Sequence, residues 1–124
     1  MRAGSLAIAL TLFSSAVSAE PLLLCGWDKV FLLETGADGP GKDKRLWTWD
    51  ARQSKDLPEG ARGTFKTTDD CKPLKGGSQI LISSSSGGCA LVERPSGRVL
   101  WHAVVPNAHS LELLPRRRVV VASS

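Results

Sequence analysis

Reactive side chains are scarce in this chain, whose 124 residues include three cysteines and two histidines. No Cys-x-x-Cys pair occurs, and no His/Cys spacing matches a structural zinc site. Ser84, Ser85 and Ser86 are not framed as a Gly-x-Ser-x-Gly elbow, and neither a phosphate loop nor a Rossmann glycine fingerprint is present. The best-marked hydrolase, nucleotide and dinucleotide chemistries are therefore excluded. Helical periodicities are also few, which with Gly 12 and Pro 7 favours a turn-rich β fold.

Long apolar runs are equally rare. Leu6 to Phe13 follows Arg2 and precedes Val17-Ser18-Ala19. It is too short to span a bilayer and reads as the core of a cleavable secretory signal over residues 1–19. Export to a periplasmic or extracellular location is expected. Leu22-Leu23-Leu24-Cys25-Gly26 resembles a lipoprotein anchor only superficially, because no small residue directly precedes the cysteine. No other stretch is apolar enough for a membrane span.

The net charge is +4, or +3 once Arg2 leaves with the signal. Basic and acidic residues alternate apart from one run, Arg116-Arg117-Arg118, which lacks the interleaved aromatics that stack bases. Nucleic acid is not an expected partner, and the run reads as a solvated hairpin tip. Three cysteines leave at least one unpaired within the chain. A Cys71–Cys89 disulfide is open on sequence grounds, but buried free thiols are the preferred reading.

What is present is a repeat. Ile80-Leu81-Ile82-Ser83-Ser84 lies over Val119-Val120-Val121-Ala122-Ser123 at an offset of 39, which also carries Leu74 onto Leu113 and Asp70 onto His109. A period near 40 residues filled with short strands is that of a β-propeller blade. The expected fold is all-β: a partial propeller of about two and a half four-stranded antiparallel blades over residues 20–124. Blade one covers about 21–50, with strands at Pro21 to Cys25, Lys29 to Glu34 and Lys44 to Asp50 and no innermost strand before them. Trp47 and Trp49 share a side because strand side chains repeat every two residues. Residues 51–66 read as a connecting loop with a helical turn at most, on a rim where it presents a surface to partners. Blade two covers about 67–105, and the start of blade three is 106–124.

Leu91 to Trp101, LVERPSGRVLW, resembles the tryptophan-docking repeat of the PQQ-type β-propellers. Glu93 stands at the acidic position, Ser96-Gly97 at the turn, Arg98 at the basic position and Trp101 at the docking ring. Leu91 departs from the alanine of the pattern. Trp47 matches Trp101 at an offset of 54. The stretches LLLCGWDKVFLLE, FKTTDDCKPL and VPNAHSLELLP are also similar to the N-terminal part of a family of exported bacterial propellers with no assigned activity. The resemblance implies that Ser96-Gly97 reverses the chain and that Trp101 docks against a neighbouring blade, with Trp47 in the same structural role. Its relatives range from quinone-dependent dehydrogenases to assembly propellers without redox activity, so no cofactor is established. The adjacent cysteines used by those dehydrogenases are missing here.

On that frame the repeat pairs Asp70 with His109 at the start of successive inner strands, with Asp69, Asn107 and Ser110 beside them. Such groups can bind a metal or place an acid/base near a substrate. The plainer reading is that they cap strand ends and satisfy buried backbone. Lys72 and Glu112 carry less information, and His102 reads as surface. The four tryptophans read as packing, although an exposed Trp27 in its Gly-Trp-Asp turn could meet a ligand. The leading expectation is an exported propeller-type repeat protein, a fragment or truncated chain, that binds a small molecule or a protein. The alternative is part of a propeller enzyme, a metal-assisted lyase or lactonase or a quinone-dependent oxidoreductase, with a site in the central channel.

Overall fold

A computed structural model describes residues 21–36 and 38–124. The secretory signal expected over 1–19 lies outside the described residues. The chain is mostly β and forms three antiparallel sheets. The first is β1 (Pro21–Gly26), β2 (Lys29–Glu34) and β3 (Lys44–Asp50). The second is β4 (Thr68–Leu74), β5 (Gln79–Ser84), β6 (Gly88–Glu93) and β7 (Val99–Val104). The third is the pair β8 (Ala108–Leu114) and β9 (Arg118–Ser123). Each sheet follows chain order, and no sheet among the described residues closes on itself. No helix among them is long and apolar enough to cross a membrane.

Strand alternation explains why the second sheet is the middle layer. Ile80, Ile82, Ala90 and Val92 point to one face and join Val30, Trp49 and Phe65 in a cluster with the first sheet. Leu81 and Cys89 point to the other face and join Ala108 and Leu111 of the third sheet. A strand buried on both faces has no solvent side to mark with polar residues, which is why Ile80, Leu81 and Ile82 of β5 run apolar without alternation and Ser83 and Ser84 after them are buried too. The same alternation separates two cysteines. Cys71 packs on the first cluster while Cys89 lies fully buried in the second, so the sheet itself stands between them and a Cys71–Cys89 bridge is ruled out by geometry.

Residues 51–66 differ from the expected rim loop. They form three short helical turns, Ala51–Gln53, Glu59–Arg62 and Gly63–Phe65, and drive Ala51, Leu57, Ala61 and Phe65 into the first cluster. The Phe65 ring meets Trp49 edge to face at 5.2 Å between centroids. The apolar positions 57, 61 and 65 recur every four residues, a helical spacing that the surrounding Pro58, Gly60 and charged residues obscure.

The repeat is real but not gapless. β4 maps onto β8 at an offset of 40, with Thr68, Asp70 and Leu74 over Ala108, Ser110 and Leu114, and both strands carry a bulge after their first residue. β5 maps onto β9 at 39. The missing residue lies in the hairpin, which uses residues 75–78 in one copy and 115–117 in the other. Asp70 therefore corresponds to Ser110 and not to His109, whose counterpart is Asp69. In the first sheet Leu32 faces Trp47 as Leu91 faces Trp101 in the second, so β1, β2 and β3 correspond to β5, β6 and β7.

Gly88 marks the tightest contact between the 51–66 segment and the middle sheet. A Cβ there would lie 2.7–2.8 Å from three atoms of the Phe65 ring. Gly88→Ala is expected to destabilise the protein by about 1–3 kcal/mol through overpacking, read as a lower urea midpoint at unchanged slope.

Candidate functional site

The polar residues singled out on the repeated strands do meet, in a seam between β4 and β8. Side chains on a strand alternate, so Asp69 and Asp70 leave β4 in different directions. Asp69 Oδ2 lies 2.8 Å from His109 Nδ1, and His109 Nε2 lies 3.2 Å from Ser124 Oγ. The Ser85 hydroxyl donates to the other Asp69 oxygen at 3.3 Å. Asp70 Oδ2 instead accepts from the Ser110 hydroxyl at 3.3 Å and from Leu111 N at 3.4 Å. The expected Asp70–His109 pair is thus replaced by Asp69–His109, the direct result of the one-residue slip.

Lys72 and Glu112, set aside on sequence grounds, complete the seam. Lys72 Nζ donates to Leu111 O at 2.6 Å and to Glu112 Oε2 at 2.9 Å, with Asp70 Oδ2 3.6 Å away. Hydrogen bonding to Glu112 raises the Lys72 ammonium above its ordinary value. Asn107 has φ 53°, a left-handed conformation that asparagine tolerates, and its amide donates to Ser124 O at 3.0 Å. It shapes the turn into β8. Most polar atoms of the seam are spent on each other, so its first work is to tie the third sheet to the second. Among the described residues no group of three or more His, Cys, Asp or Glu converges on a point that could hold a metal ion. The Asp69–His109–Ser124 chain holds the imidazole in one orientation.

Two concave surfaces stand apart from the seam. The first, a cleft of about 350 Å³, is lined by Trp27, Asp28, Asp50, Arg52, Arg62 and Lys66. Trp27 is 82% exposed at a left-handed φ of 49°, the exposure that the Gly-Trp-Asp turn allowed for. Beside it, Arg52 is held by Asp28 Oδ2 and Asp50 Oδ2, each at 2.7 Å. Asp50 also accepts from Arg52 N and Nε at 3.0 Å, and the Arg52 side-chain bond holds its carboxyl below the usual range.

The second surface concerns the tryptophan repeat. Glu93, Ser96, Gly97 and Arg98 build a self-closed turn: Ser96 Oγ donates to Glu93 Oε1 at 3.0 Å, Gly97 N to Glu93 O at 2.8 Å, and Arg98 pairs with Glu93 at 3.4 Å. Gly97 has φ 76°, which suits glycine. Trp47 of the first sheet docks on this turn. Its indole N–H donates to Pro95 O at 3.2 Å, and the Arg94 guanidinium sits 5.7 Å over its ring. Trp101, its counterpart, meets no such turn among the described residues. It stays 38% exposed and lines a groove of about 470 Å³ with Leu81, Leu91, Leu100, Leu113 and Val119, and with Lys75 and Arg117 as its charged lining residues. Comparison of the chain with family models, with curated proteins and with solved structures gave no match.

Two outcomes test the seam and the cleft. Asp70→Ala removes the acceptor for Leu111 N, so amide exchange at Leu111 should accelerate while exchange in β2 and β3 stays unchanged. Asp50→Asn should lower the urea midpoint at pH 7. Asp50 has a depressed value in the folded protein, so its contribution is complete above the ordinary carboxylate value of about 3.9 and is lost as pH falls through the folded value. The gap between variant and wild type should therefore close on acidification below about pH 4.

Proposed function

We propose that the three sheets are successive blades of an exported, propeller-type repeat protein whose work is binding, and that the groove beside Trp101 takes up a tight β-turn like the one that receives Trp47. The observation that carries this reading is the contrast between two equivalent tryptophans. Trp47 is received by the Glu93–Arg98 turn. Trp101 occupies the corresponding position and lies half exposed in an apolar groove. The propeller part of the reading is supported by the strand-for-strand correspondence of the sheets and by their consecutive packing.

The internal contact indicates the chemistry of that turn. A tight β-turn would offer a backbone carbonyl to the indole N–H of Trp101, an apolar face to Leu91, Leu100 and Leu113, and a carboxylate to Lys75 and Arg117. A second copy of this chain is a poor candidate, because its own Glu93–Arg98 turn is already taken by its Trp47.

A cyclised hairpin peptide carrying residues 88–104 is the direct probe. Titration into the full chain should show saturable binding, and Trp101→Ala should weaken it by roughly thirtyfold or more, the loss of about 2 kcal/mol typical of a central aromatic anchor. Equal binding by Trp101→Ala, or no binding at millimolar peptide, removes the reading.

A further inference from the structure

The first and second sheets are joined by something other than packing. Trp27 O accepts from Thr68 N at 2.6 Å, and Lys29 O accepts from the Thr68 hydroxyl at 3.2 Å, which fixes the end of β1 against the start of β4. Two residues back from Trp27 is Cys25. Three residues on from Thr68, one of them the bulge residue Asp69, is Cys71. Both cysteines are half-buried against the same cluster, beside the tie that holds the end of β1 to the start of β4. Burial raises both thiols above their ordinary value, and the neighbouring Asp70 adds to this for both.

The equivalent contact between the second and third sheets cannot do the same chemistry. Cys25 corresponds to Ser83 and Cys71 to Leu111. Cys89 is fully buried in the other cluster, beyond the middle sheet.

We propose that Cys25 and Cys71 are a disulfide site that clasps the first sheet to the second. The two thiols lose two protons and two electrons as the S–S bond forms. A disulfide oxidant takes up the electrons in two steps: one thiolate attacks it, releasing a first thiol and leaving a mixed disulfide, and the second cysteine displaces the other thiol. Export into an oxidising compartment would supply such an oxidant, but the geometry stands whether or not the chain is exported.

The test uses the full chain in a glutathione buffer poised near −200 mV, at pH 8.5 so that some thiolate forms. Free thiols are then alkylated, and the protein is digested with trypsin without reduction. The expected result is that more than half of the chains lose two hydrogens in mass and yield the peptide ending at Lys29 linked to the peptide containing Cys71, with Cys89 alkylated. Cys89→Ser should bridge as wild type does, and Cys25→Ser and Cys71→Ser should each retain an alkylated partner. Bridging in less than half of the chains, Cys89 within the bridge, or a persistent glutathione adduct on either cysteine overturns the proposal.

Discussion

Burial of both faces of the middle sheet is the constraint on which this structure depends. A sheet alternates its side chains, so β5 and β6 can bury successive residues, as at 80–84 and 88–90, only if a neighbour covers each face. The first sheet and the 51–66 segment cover one, and the β8–β9 pair covers the other. Of the two outer layers, the β8–β9 pair taken alone is a two-stranded ribbon, marginal at best in water. The middle sheet gives both of them a surface, and its loss would unmake the whole described assembly.

Specific polar contacts then set where each layer lies, since apolar burial is non-directional. Between the second and third sheets this is done by Asp70, Lys72 and the Asp69–His109 pair, largely exposed groups whose individual energies are small. Between the first and second it is done by Thr68 on Trp27 and Lys29, by Trp47 on Pro95, and by the Val99 amide on Asp56 Oδ2 at 3.0 Å. Both interfaces carry a polar tie, and among the described residues the first also carries a docked tryptophan.

Much of this was legible in the residues. Period-two patterning and turn chemistry placed β1, β2 and β3 to within about one residue, and the Glu-x-x-Ser-Gly-Arg pattern marked a turn that does close on itself. Three things escaped for physical reasons. The 51–66 segment hides a helical apolar stripe among prolines, glycines and charges, and its burial is decided by what it meets. A bulge and a shortened hairpin leave no mark in an ungapped alignment, yet a slip of one residue exchanges Asp70 for Asp69 as the partner of His109. The direction of a docking ring depends on which turn it reaches, so sequence alone offered Trp101 and Trp47 the same role.

The unequal hairpins have a consequence for how such chains can vary. The tip at 75–78 uses Lys75, Gly76 and Gly77 at positive φ, and the tip at 115–117 uses Arg116 and Arg117. Both return the second strand in the same facing, although one is a residue longer. Length at this tip is therefore uncoupled from the alternation that buries the strand. That makes the tip a natural place for insertions and deletions to accumulate in a repeat array, and a safe place to graft a foreign loop or a fluorescent label without disturbing the layers beneath.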